Sequence, residues 1–252
     1  RLSPSFRTAR ARSMQSELRT ALADDLDQLI RLHDRELDAA TLAALKNSAF
    51  PLGLALQPSG EAGEMACANM LAAVQGDSSL DELAADYAAI YLNNSLGASP
   101  YESVWLSDDH LACAAPMFEL RDIYAEVGLQ AKDWRSRFDD HFVLQLQYLR
   151  CVLTSSELAP DKLATFSDEH IGYWFPDFAQ RVSMQCGTPF YAALAELTHV
   201  WLIRFRTLLD ELYDLPIPDR EQMSQRINRK LVMDKAEVAP IRFMPGAQGP
   251  SW

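Results

Sequence analysis

Apolar residues recur every three to four positions along most of this 252-residue chain. Leu18, Leu22, Leu26, Leu29 and Leu32 keep that spacing and predict a first helix over residues 14–34, with Leu42 and Leu45 on a short second one. No segment offers the repeated two-residue alternation that strands need. The expected fold is therefore all-α, a helical bundle of about ten helices.

Turn formers cut this pattern into elements. Pro51, Gly53, Pro58 and Gly60 break the chain, residues 61–75 read as a helix ending at Gly76, and Ser79 with Glu82 forms a capping box for a helix over 80–92. Asn93, Asn94, Gly97 and Pro100 make a loop; Pro116 opens a helix that Gly128 closes. Asp139, Asp140 and His141 open a helix to about Leu153 that is apolar on nearly every side, so it belongs at the bundle centre, and Ser136 with Asp139 supplies a capping pattern for it. Residues 161–169 are polar and expected to be exposed. His170 and Trp174 lie one turn apart before Pro176, which is expected to stop that helix. Thr188 and Pro189 begin a long helix to about residue 213, and a last helix spans about 219–233. The expected organisation is a basic arm over 1–13, a helical domain over 14–239 and a mobile tail over 240–252. The domain divides into halves 14–128 and 138–239, joined by the polar stretch 129–137.

Charge narrows the function classes. The formal charge is −12, yet residues 1–12 hold four arginines and no acid, leaving 19 basic against 35 acidic residues, or −16, for the rest. That body repels nucleic acid and attracts a cationic peptide. No apolar stretch is long enough for stable membrane insertion and no signal segment opens the chain, so a cytoplasmic protein is expected. Cys67, Cys113, Cys151 and Cys186 lie too far apart for a zinc site and are expected to be buried thiols. Neither a cofactor nor a metal is called for.

Three segments could carry function. Tyr87, Ile90 and Tyr91 share one face of their helix, either as core or as an aromatic patch for a peptide. In the loop that follows, Pro100 holds Ser99 extended and aims Tyr101, Glu102 and Trp105 from a stiff backbone, which suits a docking surface and equally suits a loop pinned to the core. Asp139, Asp140 and His141 are the most enzyme-like residues, but neighbours on a helix point about 100° apart and cannot converge on one atom. First-turn acids are also common as caps, so capping or binding competes with general-base or metal chemistry there. Asp108, Asp109 and His110 form a weaker cluster. No nucleophile motif, phosphate loop or H-E-x-x-H pattern is present.

Asp86-Tyr87, Ile90-Tyr91 and Ser99 to Trp105 form a D-Y-x-x-[aliphatic]-[aromatic] helix followed by an S-P-Y-E-S-V-[aromatic] loop. Asp139 to Leu149 forms a D-D-H helix. His170, Trp174, Pro176, Phe178 and Thr188 to Tyr191 form an H-x-x-x-W-x-P-x-F segment with a later T-P-F-Y. Together, in this order, they resemble the TorD/DmsD/NarJ family of molybdoenzyme maturation chaperones. The resemblance implies an all-α cytoplasmic chaperone without turnover. Its expected partners are the catalytic subunit of a molybdopterin-dependent oxidoreductase and that subunit's twin-arginine signal peptide, held for cofactor insertion by a monomer or a domain-swapped dimer. It implies peptide or client contacts by Tyr87, Ile90, Tyr91, Ser99, Pro100, Tyr101, Glu102, Trp105, Asp139, Asp140 and His141. Asn93 and Asn94 stand where the family often has Gly-Pro, and Gln145 and Gln147 where it often has acids. A metal- or acid/base-dependent enzyme centred on Asp140 and His141, or a helical adaptor for an unrelated protein, are the alternatives.

Overall fold

The computed structural model describes residues 4–106, 110–112, 114–133 and 136–237. Eleven α-helices carry the chain among these residues: α1 Pro4–Asp34, α2 Ala39–Ser48, α3 Gly60–Gln75, α4 Leu80–Tyr87, α5 Glu102–Leu106, α6 Ala115–Glu126, α7 Phe142–Thr154, α8 Pro160–Phe166, α9 Gly172–Gln185, α10 Pro189–Tyr213 and α11 Arg220–Glu237. Two π turns, Ala88–Leu92 after α4 and Ser167–Ile171 between α8 and α9, complete it. The all-α expectation holds, with only an isolated two-residue bridge in place of any sheet among the described residues.

Helix α7 is central, as its sequence predicts: Phe142, Val143, Leu146, Tyr148, Leu149, Val152 and Leu153 are all buried around its circumference. It packs along α1, while α10 packs along α9 and α3. In two of these pairings, α1 with α7 and α3 with α10, the partners come from opposite sides of residues 129–137, and one continuous apolar core joins them. Burying a leucine- or phenylalanine-sized side chain contributes about 1.5–3 kcal/mol, so this shared core is the dominant stabilising term.

Several local expectations need correction. Helix α1 begins at Pro4, ten residues before the expected start at residue 14, because helix propensity does not need the apolar stripe that begins at Leu18. Helix α7 begins at Phe142, and its N-cap is His141, whose side chain accepts from the Val143 amide; Ser136 and Asp139 do not cap it. Residues 161–169 are not an exposed stretch, since Leu163, Ala164, Phe166 and Ser167 are buried. Pro176 lies inside α9 and does not end it. It falls just after a π turn, where the coil is already irregular. Gly172 closes that turn, its amide donating to the Ser167 carbonyl, and a Cβ at 172 would lie 2.7 Å from that oxygen. Cys67, Cys151 and Cys186 are unpaired thiols, half-buried where full burial was expected. Residues 108, 109, 113 and the tail from 240 lie outside the described residues. No described helix is long and apolar enough to cross a membrane.

Candidate functional site

The loop after Asn93 and the start of α7 are zipped together. Phe142 N donates to the Pro100 carbonyl at 2.8 Å and Glu102 N to the Asp140 carbonyl at 3.1 Å, giving an antiparallel bridge between Tyr101 and His141. The Asp140 carboxylate accepts from Ser103 N at 2.9 Å. Two of the sequence's candidate segments thus form one unit.

Most of their side chains point inward. Ser99, Pro100 and Glu102 are buried, and so are Asp139, Asp140 and His141; Asp140 is wholly inaccessible. Burial raises the Asp140 carboxyl above its ordinary range, against the hydrogen bonds from Ser103 that favour the charged form. Asp139 takes Arg121 through Nε and Nη2 at 3.1 and 2.8 Å, while its carbonyl receives the Tyr124 hydroxyl at 3.0 Å. Burial drives His141 well below the usual histidine range. Because its Nδ1 accepts from Val143 N, the proton sits on Nε2. An acid/base centre at Asp140 and His141 therefore has neither solvent access nor a free basic nitrogen at Nδ1. No cluster of metal-ligating residues is present among the described residues.

Glu102 anchors the loop from beneath. Its two oxygens meet His170 Nδ1 at 3.1 Å and Gln145 Nε2 at 2.5 Å. Burial raises its carboxyl, with His170 opposing. The glutamine at 145 has a physical reason here, for an acid in its place would set two buried carboxylates against each other. Tyr101 and Trp105 are the candidates left half-exposed. Tyr101 packs against Phe138 and edge-on to His141, and Trp105 donates to the Ser99 carbonyl at 2.8 Å and stacks on Trp174. The loop is stiff because its backbone is bridged to the start of α7 and Glu102 is held from beneath by His170 and Gln145, and it presents these two rings.

Tyr87, Ile90 and Tyr91 form one patch, as their spacing predicts, but it faces the core. The Tyr87 hydroxyl donates to the Asp34 carbonyl at 2.8 Å. Tyr91 meets His33 Nδ1 at 2.5 Å, and His33 Nε2 lies 2.9 Å from the Thr198 hydroxyl, which itself donates to the Leu194 carbonyl. Thr198 must then accept from His33, so Tyr91 donates to Nδ1. Asp86 accepts from Gly187 N and Thr188 N at 2.9 and 2.6 Å, tying the D-Y segment to the T-P-F-Y segment.

Sequence reasoning passed over His33 and Asp25. Both sit on the apolar face of α1 among Leu22, Leu26 and Leu29, and a lone polar residue on that face was the available signal. Burial depresses His33 to about 3 from its ordinary 6.5. The unfolded chain binds this proton near pH 6.5 and the folded chain only near 3. Stability is then full above 6.5 and falls by about 1.4 kcal/mol per pH unit on acidification through that window. Urea unfolding at pH 7 and 5.5 should show His33→Gln losing less stability than the parent across that interval; equal losses would mean that His33 charges inside the fold.

Comparison with known proteins agrees with this architecture. A family model described as the nitrate reductase delta subunit matches residues 57–180, which include the loop, the start of α7 and the π turn before α9. A chaperone protein TorD of Shewanella piezotolerans is 30% identical over 189 residues, covering 69% of this chain and 85% of that protein. One of Shewanella oneidensis is 29% identical over 193 residues, covering 73% and 88%. One of Vibrio cholerae is 28% identical over 141 residues, covering 52% and 64%. With its all-α fold and ordered motifs, this chain belongs to the TorD/DmsD/NarJ family of chaperones.

Proposed function

We propose that this protein is a cytoplasmic maturation chaperone for a molybdopterin-dependent oxidoreductase. It binds the enzyme's twin-arginine signal peptide, its apo catalytic subunit, or both, and holds the client for cofactor insertion before export or assembly. The observation that carries this reading is the platform formed by the Ser99–Trp105 loop and the start of α7. Its backbone is locked by Asp140, Glu102 and His141, and it offers Tyr101 and Trp105 as half-exposed rings. Rigid aromatics lose little conformational entropy on binding and are favoured anchors. The chain's net charge of −12 favours a basic peptide.

In this reading the buried residues shape the platform and do not touch the client. Titration of a twin-arginine leader peptide should therefore show Tyr101→Ala and Trp105→Ala each weakening binding by roughly tenfold, or about 1.4 kcal/mol. Unchanged affinity in both variants would remove the platform from the account.

A further inference from the structure

A cavity of 330 Å³ lies between the π turn Ser167–Ile171, α9, α10 and the start of α11. Ile171, Phe175, Leu202, Ile203, Ile217 and Met223 give it apolar walls, and none of its lining residues belongs to the platform of Tyr101 and Trp105. Ile203 and Ile217 are about half exposed and mark its mouth. An apolar cavity of about 150 Å³ holds one benzene ring, so this one has room for two fused rings and a substituent. Its size is that of a small-molecule site, for which about 300–1,000 Å³ is usual.

Two polar side chains in the lining keep hydrogen-bonding capacity that the fold does not use. Ser167 is 7% exposed, and its buried hydroxyl has no partner among the described residues. The neighbouring Asp168 is committed to Arg206, whose Nε and Nη2 take its two oxygens at 2.8 and 2.9 Å. Arg206 is itself 6% exposed, and its Nη1 and Nη2 also donate to the Leu215 and Pro216 carbonyls at 2.8 and 3.0 Å. These bonds use four of the five guanidinium N–H groups and leave one on Nη1. A buried hydroxyl without a partner costs free energy that a bound acceptor would recover.

The occupant's chemistry follows from the lining. Apolar walls that include the Phe175 ring call for a flat apolar body, and the two spare donors call for an oxygen acceptor. The acceptor need not be charged. Asp168 already matches the Arg206 charge, and burial holds His199, the remaining ring at the wall, below the usual histidine range, so that it is uncharged near neutrality. An anion would lose its hydration here without a free cation among the buried groups to replace it, whereas a carbonyl oxygen loses far less. We propose that this cavity binds a small uncharged molecule with a fused-ring aromatic body and a carbonyl oxygen. The oxygen accepts from the Ser167 hydroxyl, with the remaining Arg206 N–H as a second donor, and the rings lie among Phe175, Leu202 and Met223. This site is separate from the client platform and does not depend on the chaperone reading.

Titration of the full chain with 1-tetralone, followed by NMR, tests it, with tetralin as the hydrocarbon of the same shape that lacks the oxygen. The expected result is saturable binding of 1-tetralone that Ser167→Ala weakens threefold or more, while the affinity for tetralin changes less than twofold in that variant. Ile203→Trp places a large ring at the exposed mouth, where it does not disturb the core, and should abolish saturable binding of both ligands with the unfolding temperature preserved. Absence of saturable 1-tetralone binding, the same response of the two ligands to Ser167→Ala, or binding that survives Ile203→Trp would overturn the site.

Discussion

Replacing Asp25 by alanine should cost about 3–5 kcal/mol of folding stability, among the largest single effects available in this protein. The carboxylate is 1% exposed and accepts three hydrogen bonds, from Ala55 N and Leu56 N at 2.8 Å each and from Trp201 Nε1 at 3.1 Å. It thereby joins α1, the turn before α3 and α10 at one point. Alanine would leave three donors without their acceptor at a buried position. Asparagine should be less damaging, because its carbonyl keeps part of the set while its amide opposes a donor. Urea unfolding measures both: the midpoint should fall sharply in Asp25→Ala with the slope preserved. A loss under about 1 kcal/mol would show that the carboxylate is not the joint described here.

Trp174→Ala should cost a similar amount, about 3–5 kcal/mol, and should also weaken client binding. The ring is 1% exposed and packs against Phe142, Phe175 and Phe178, so its removal opens a large cavity at the heart of the core. Its other face stacks on Trp105, so the platform would lose its backing as well. Trp174→Phe is the informative companion. The indole N–H has no partner among the described residues, so phenylalanine removes an unsatisfied buried donor along with part of the ring, and the net cost should be clearly smaller than that of alanine. Equal losses in the two variants would point to a specific role for the indole nitrogen that the structure does not show.

The parts of this protein legible in the sequence are those decided by neighbours along the chain. The Ser79–Glu82 capping box forms as expected because both partners lie within one turn. The leucines of α1 and the all-round apolar α7 likewise declare their burial through periodicity. Expectations failed where a distant partner decided the outcome. Asp139 looked like a helix cap but is drawn off by Arg121, and the cap falls to His141. Asp168 looked exposed, yet Arg206 of α10 grips both its oxygens at 2.8 and 2.9 Å. The candidate site follows the same rule. Spacing grouped Tyr87, Ile90 and Tyr91 correctly but could not say which way they face, and only the bond from Ser103 to Asp140 reveals that the most acid-like residue is a buried strut.

A maturation chaperone of this family should be found holding its molybdoenzyme client. Affinity capture of the full chain from its native host, with bound proteins identified by mass spectrometry and their molybdopterin content measured, shows whether it does. The account predicts enrichment of a molybdoenzyme catalytic subunit in its cofactor-free form, reduced in Tyr101→Ala. Recovery of only the cofactor-loaded enzyme, or of no molybdoenzyme, would contradict it.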